Sequence, residues 1–88
     1  MFRLNKSWEQ WNRDAANGDK DSLFHVAFTY WKSDRPNSNI YAYAFFTLSG
    51  SIWNRDQVAT KMTKNEVIKA EDLIRELKDK NPALNNVR

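Results

Sequence analysis

Apolar residues recur with helical spacing in five stretches of this chain, each bounded by residues that favour turns or helix ends. Trp8, Trp11 and Ala15 share one helical face at i, i+3 and i+7. Ser7 stands three residues before Gln10, the spacing of a capping box, so a first helix is predicted to start near Trp8. Gly18 can take the left-handed backbone that ends a helix at little cost. Asp19, Asp21 or Ser22 then caps the next one. That second helix is predicted from about Asp21 to Lys32, with Phe24, Ala27, Phe28 and Trp31 along one side and Val26 and Tyr30 beside them. So much of its circumference is apolar that it should meet neighbours on two sides.

The polar run Ser33–Ser38, broken by Pro36, is the main loop. A third helix from about Ile40 to Leu48 places Tyr41, Ala44, Phe45 and Leu48 on one face. Its Tyr, Phe and Thr content would also suit a buried strand, but its alanines and capping context favour helix. Ser49-Gly50-Ser51 marks a turn, and a fourth helix from about Ile52 to Met62 presents Ile52, Ala59 and Met62, flanked by Val58. Thr63 followed by Glu66 is a second capping box and opens a fifth helix with Val67, Ala70, Leu73, Ile74 and Leu77 on its stripe. Asn81-Pro82 stops it, and residues 83–88, with little to bury, are expected to fray. The expectation is an all-α single domain over residues 1–88, built of antiparallel helical hairpins, with no sheet.

Composition narrows this picture. At 88 residues the chain lies near the size at which one core is only marginally sufficient, and its four Trp and five Phe offset this by burying large areas per residue. Without Cys there is no disulfide framework, thiolate metal site or Cys nucleophile. The single His25 excludes a His-rich metal centre. The chain shows neither a membrane-spanning apolar run nor a signal-like leader, so a soluble, cytoplasmic protein is the simplest expectation. The net charge of +3 is spread along the chain and interrupted by acids, as in EDLIRELKDK. A nucleic-acid binder concentrates such charge in a patch, so a solvated surface is the better reading.

Small residues alternate with aromatic ones in NGDKDSLFHVAFTY and YAYAFFTLSG. Ala15, Ala16, Gly18, Asp19 and Tyr30 fall on a pattern A-A-x-G-D-x-x-A-x-x-x-L-G-x-x-Y, with Ser22, Val26 and Ala27 as near-equivalents at its A, L and G. This resembles the first helix of the Sel-like repeat family, a relative of the tetratricopeptide repeats. Ala42 to Leu48 looks like the second helix of the same repeat. Asn54-Arg55-Asp56, Ala59, Lys61-Met62-Thr63, Glu66, Ala70 and Leu73 are similar to the segment that closes bacterial members. Such members carry a Gly in the loop between the two helices, where this chain has none. The resemblance implies one full repeat between a preceding half and a closing pair, and a protein-binding role in which the first helix of the pair lines a groove. His25, Phe28, Thr29 and Lys32 are the groove residues it implies.

No Ser or Cys nucleophile stands at an interpretable spacing from His25, so no catalytic set is named and an enzyme is not expected. Asp19 with Asp21 fits helix capping better than a metal site, and Glu71 with Asp72 point in different directions on a helix; no metal or cofactor is implied. The tryptophans interleaved with Lys and Arg could stack on single-stranded nucleic acid, but core packing with cationic stems over the edges is favoured. Arg55 at the edge of an apolar stripe requires an ion pair or a carbonyl. So few units leave apolar helix faces uncovered, and Phe2, Leu4 and Trp8 are expected to dock on a second copy or another protein. The functional expectation is therefore a protein-binding adaptor; the alternative is a small basic, nucleic-acid-associated regulatory protein.

Overall fold

Both capping boxes close in the computed structural model, which describes residues 6–88. The Gln10 N–H donates to Ser7 Oγ at 3.1 Å and the Ser7 N–H to Gln10 Oε1 at 2.9 Å. Thr63 and Glu66 exchange the equivalent pair at 3.1 and 2.8 Å. Four backbone donors that water would otherwise have to satisfy are thereby met by the chain itself. The helices are α1 (Trp8–Ala16), α2 (Lys20–Trp31), α3 (Ser38–Leu48), α4 (Ile52–Ala59) and α5 (Lys64–Lys80), followed by a 3-10 turn over Pro82–Asn86. The described residues hold no strand, so the stretch that could have been a buried strand is helical.

α3 occupies the centre. Ile40, Ala42, Tyr43, Ala44, Phe46 and Leu48 are all buried, which leaves it no wholly polar face, and α2, α4 and α5 each pack against it. α1 packs on α2. Where the resemblance implies a closing pair, α4 and α5 instead share α3 as their principal neighbour. The expected contact of α2 with α3 is the most extensive in the molecule, and Ala27 and Ala44 are both fully buried.

Three predicted faces are corrected. α2 buries Leu23, Val26 and Ala27, while Phe24 and Phe28 remain 38% and 37% exposed. On α3, Tyr41 is exposed and Phe45 only half-buried. α4 ends at Ala59, three residues short of Met62, and buries Val58 while Ile52 stays exposed. For α2 and α3 the cause is that apolar residues cover much of the circumference, so spacing alone does not choose the inward side. The tryptophans divide: Trp11 and Trp31 pack against the core, but Trp8 and Trp53 are exposed, Trp53 at 68%.

In the loop before α3, Asn37 takes the left-handed conformation with φ +67°. Asn tolerates this better than other non-glycine residues, and so serves where a glycine is otherwise required. Across the core, the Tyr43 hydroxyl on α3 donates to Glu71 Oε2 on α5 at 2.6 Å. Burial, with this hydrogen bond second, pushes the Tyr43 phenol up to about 12. Arg55 on α4 lies 5.9 Å from the Tyr43 ring and pairs with Asp56 Oδ1 at 2.8 Å, the ion pair its position called for.

Residues 83–88 are docked and do not fray, contrary to expectation. Leu84 is buried, the Arg88 N–H donates to the Gly18 carbonyl at 2.9 Å, and the Lys20 N–H donates to the Arg88 carbonyl at 2.9 Å. The turn between α1 and α2 accepts this tail because Gly18 has φ +87° and no side chain; a Cβ there would meet the Ala83 carbonyl oxygen at 2.8 Å.

Gly18→Ala should therefore cost more than Gly50→Ala. Both glycines have positive φ, but a Cβ on Gly50 meets nothing within 4 Å. Gly50→Ala should cost about 1 kcal/mol of backbone strain in urea unfolding and Gly18→Ala about 2 to 3 kcal/mol; equal losses would show that the tail does not press on Gly18. Ala27→Leu should overpack the contact with α3 and destabilise by about 1 to 3 kcal/mol, and an unchanged melting temperature would remove Ala27 from that contact.

Candidate functional site

Residues four apart on a helix form a ridge along its surface. On the open side of α2 one ridge consists of Lys20, Phe24, Phe28 and Lys32, all exposed. Its neighbour consists of Asp21, His25 and Thr29, also exposed. His25, Phe28, Thr29 and Lys32, the four groove candidates, thus lie on one side of α2 and straddle both ridges. Phe24, set by the sequence on the same apolar side as Phe28, is the ridge member not named among the groove residues. The four-residue recurrence of Lys-Phe-Phe-Lys was the signal that could have placed it outside.

The aromatic ridge is held from beneath. Phe46, fully buried, meets Phe24 edge to face at 5.4 Å and Trp31 at 5.6 Å, while Phe24 and Phe28 lie nearly parallel with centroids 6.2 Å apart. Lys32 Nζ sits 4.9 Å from the Phe28 centroid, a cation over an aromatic face. Beside Phe24 a cleft of about 270 Å³ is lined by Lys20, Asp21, Ser49, Gly50 and Ser51. Its size suits a single side chain more than a whole ligand.

The second ridge is tied to α1. The His25 ring stacks on Trp11 with centroids 3.9 Å apart and planes 16° from parallel. Thr29 Oγ1 donates to the His25 carbonyl at 2.9 Å. Lys6 Nζ lies 4.2 Å from the Trp11 centroid and pairs with Asp14. Burial, with the Lys6 charge second, holds the His25 imidazole below its usual pKa. This occupies one face of His25 in packing and leaves Phe28, Thr29 and Lys32 as the freer members.

A larger cavity of about 460 Å³ lies where α1, α2 and the tail meet, lined by Lys6, Trp11, Asp14, Asn17, Asp19, Asp21 and Arg88. Three of its charged groups are already engaged: Lys6 and Asp14 by each other, with Lys6 also over Trp11, and Asp19 by the Ser22 N–H at 3.0 Å as the cap of α2. That Ser22 hydrogen bonding, through its side chain first, also holds Asp19 below the ordinary carboxylate range. Of the self-association candidates, Phe2 and Leu4 lie outside the described residues. Trp8 is exposed and touches Tyr30 edge to face at 5.9 Å. Among the described residues no group of three or more His, Cys, Asp and Glu could hold a metal ion, and no helix is long and apolar enough to cross a membrane.

Compared with known proteins, the chain matches no family model, no curated protein and no solved structure.

The His25 stack predicts a pH dependence. Its folded pKa is below the unfolded value of 6.5, so the unfolded chain takes up the proton first. The His25 contribution to stability is present above 6.5 and is lost as pH falls from there through the folded pKa. Urea midpoints between about pH 7.5 and pH 5 should fall with this sign, and His25→Gln should flatten that part of the profile. An unchanged profile in the variant would show that the stack does not bias His25 toward the neutral form.

Proposed function

We propose that this chain is a protein-binding module that engages its partner through the open side of α2, with Phe24 and Phe28 as anchors and His25, Thr29 and Lys32 around them. The observation that carries this reading is the pair of exposed phenylalanines, one turn apart, on a helix whose other apolar residues are buried or half-buried. Aromatic side chains fixed from beneath lose little freedom on binding, and such residues supply most of the energy at protein interfaces. The resemblance to Sel-like repeats implies the same side of the same helix. Acids interleave with the cations over the surface, and Asp21 stands beside the ridge; both disfavour the nucleic-acid alternative.

The test compares the chain with its Phe24→Ala/Phe28→Ala variant. Proteins retained on the immobilised chain are identified, purified and titrated against both forms by calorimetry. The double variant should keep its helical circular dichroism and lose about 2 kcal/mol or more of binding free energy. A partner that binds both forms equally would move the site off α2. Tight binding of a single-stranded oligonucleotide, with no protein retained, would replace this reading by the basic regulatory one.

A further inference from the structure

Resting on that reading, we infer that the partner segment is an amphipathic α-helix presenting two apolar side chains between two carboxylates. The ridge on α2 is Lys20-Phe24-Phe28-Lys32, apolar in the middle and cationic at both ends. The lysines are twelve positions apart, about 18 Å along the helix axis. Neither lysine has an ion pair among the described residues, whereas Lys6, Arg55 and Arg75 each have one. Their charge is available to a partner. Asp21 lies next to Lys20 on the neighbouring ridge and offsets part of it, so Lys32 carries the larger share of the attraction.

This charge order excludes a second copy more strongly than it excludes a different protein. Two α2 ridges laid antiparallel would set Lys20 against Lys32, and laid parallel would set each lysine against its own copy. Like charges brought together at an interface cost affinity and act as a barrier to wrong partners. A helix with Glu or Asp at the two ends of its own four-residue row meets the opposite charge at both ends and phenylalanine between. The helical form follows from the backbone. An extended segment on α2 would cover its peptide groups without partners, since the described residues offer no sheet edge. A helix brings its own hydrogen bonds. The cleft beside Phe24, lined by Ser49, Gly50 and Ser51, can receive one of its apolar side chains.

Fluorescein-labelled designed helical peptides test this by anisotropy. One carries Glu-Leu-Leu-Glu along a four-residue row, one carries Lys-Leu-Leu-Lys, and one has the first composition scrambled. The wild-type chain should bind the Glu peptide about tenfold or more tighter than the other two, with the preference weakening as salt is raised. Lys20→Glu/Lys32→Glu, checked by circular dichroism, should reverse the order and favour the Lys peptide. Equal affinities for the Glu and Lys peptides overturn the inference, as does a preference for the Lys peptide by the wild-type chain. So does concentration-dependent dimerisation that Phe24→Ala/Phe28→Ala abolishes. If a purified partner is lost with Phe24→Ala/Phe28→Ala while the peptides show no charge order, the binding face stands and the acidic helix falls. If the partner is indifferent to both phenylalanines, the face itself falls.

Discussion

A helix with no polar side cannot rest on the surface, and α3 is such a helix. Its Ile40, Ala42, Tyr43, Ala44, Phe46 and Leu48 point around most of its circumference and all are buried. Three other helices must therefore surround it, and in a chain of 88 residues that requirement uses nearly everything available. The alanines make the enclosure close, because small residues let neighbouring backbones approach, while Phe46 fills the gap left toward α2. Among the described residues, the one long-range side-chain hydrogen bond that reaches into α3 runs from the Tyr43 hydroxyl to Glu71. Within the described residues no buried side-chain polar atom lacks a partner, as a core this small requires.

Enclosing α3 leaves the two ends of the chain to be managed by turns. α1 does not reach α3 extensively; it closes over α2 through Trp11 on His25 and Trp8 on Tyr30. The far end of α5 is returned by Pro82–Asn86 to the α1–α2 turn, where Gly18 is both the helix terminator and the landing place for the tail. One glycine thus couples the first and last elements. This makes the fold more cooperative than the linear order of helices suggests, since loosening either end exposes Leu84 and weakens the cap of α2.

The parts legible in the sequence are those decided within a turn of helix. Ser7 with Gln10 and Thr63 with Glu66 state their own geometry, and both boxes form as read. The number of helices followed from them together with Gly18, Pro36 and Gly50. The inward faces of α2 and α3 were not legible, because Phe24, Phe28 and Tyr41 carry the same apolar signal as Leu23, Val26 and Ile40, and only the neighbours decide which side they take. The tail was misread for a related reason: a lone Leu84 among polar residues has no periodicity, and its burial depends on a glycine more than sixty positions away. The Trp11 stack on His25 and the Tyr43 bond to Glu71 likewise join residues whose separation carries no local pattern. For the candidate site, the exposure of His25, Phe28, Thr29 and Lys32 was expected from the resemblance, and that of Phe24 was not.

That difference bears on why the ridge is exposed at all. α2 has more apolar circumference than α1 and α3 together can cover, so the excess must emerge on the remaining side, and it emerges as Phe24 and Phe28. The fully buried face of α2 is formed by Leu23, Val26 and Ala27, and the two phenylalanines stand outside it. The two rings lean on Phe46 and Trp31 and are bracketed by lysines that have no ion pair among the described residues. Through Phe46 the ridge stands on the same helix that organises the fold. Whatever presses on Phe24 presses on Phe46 and so on α3, and a partner at the proposed face would draw on the rigidity of the core.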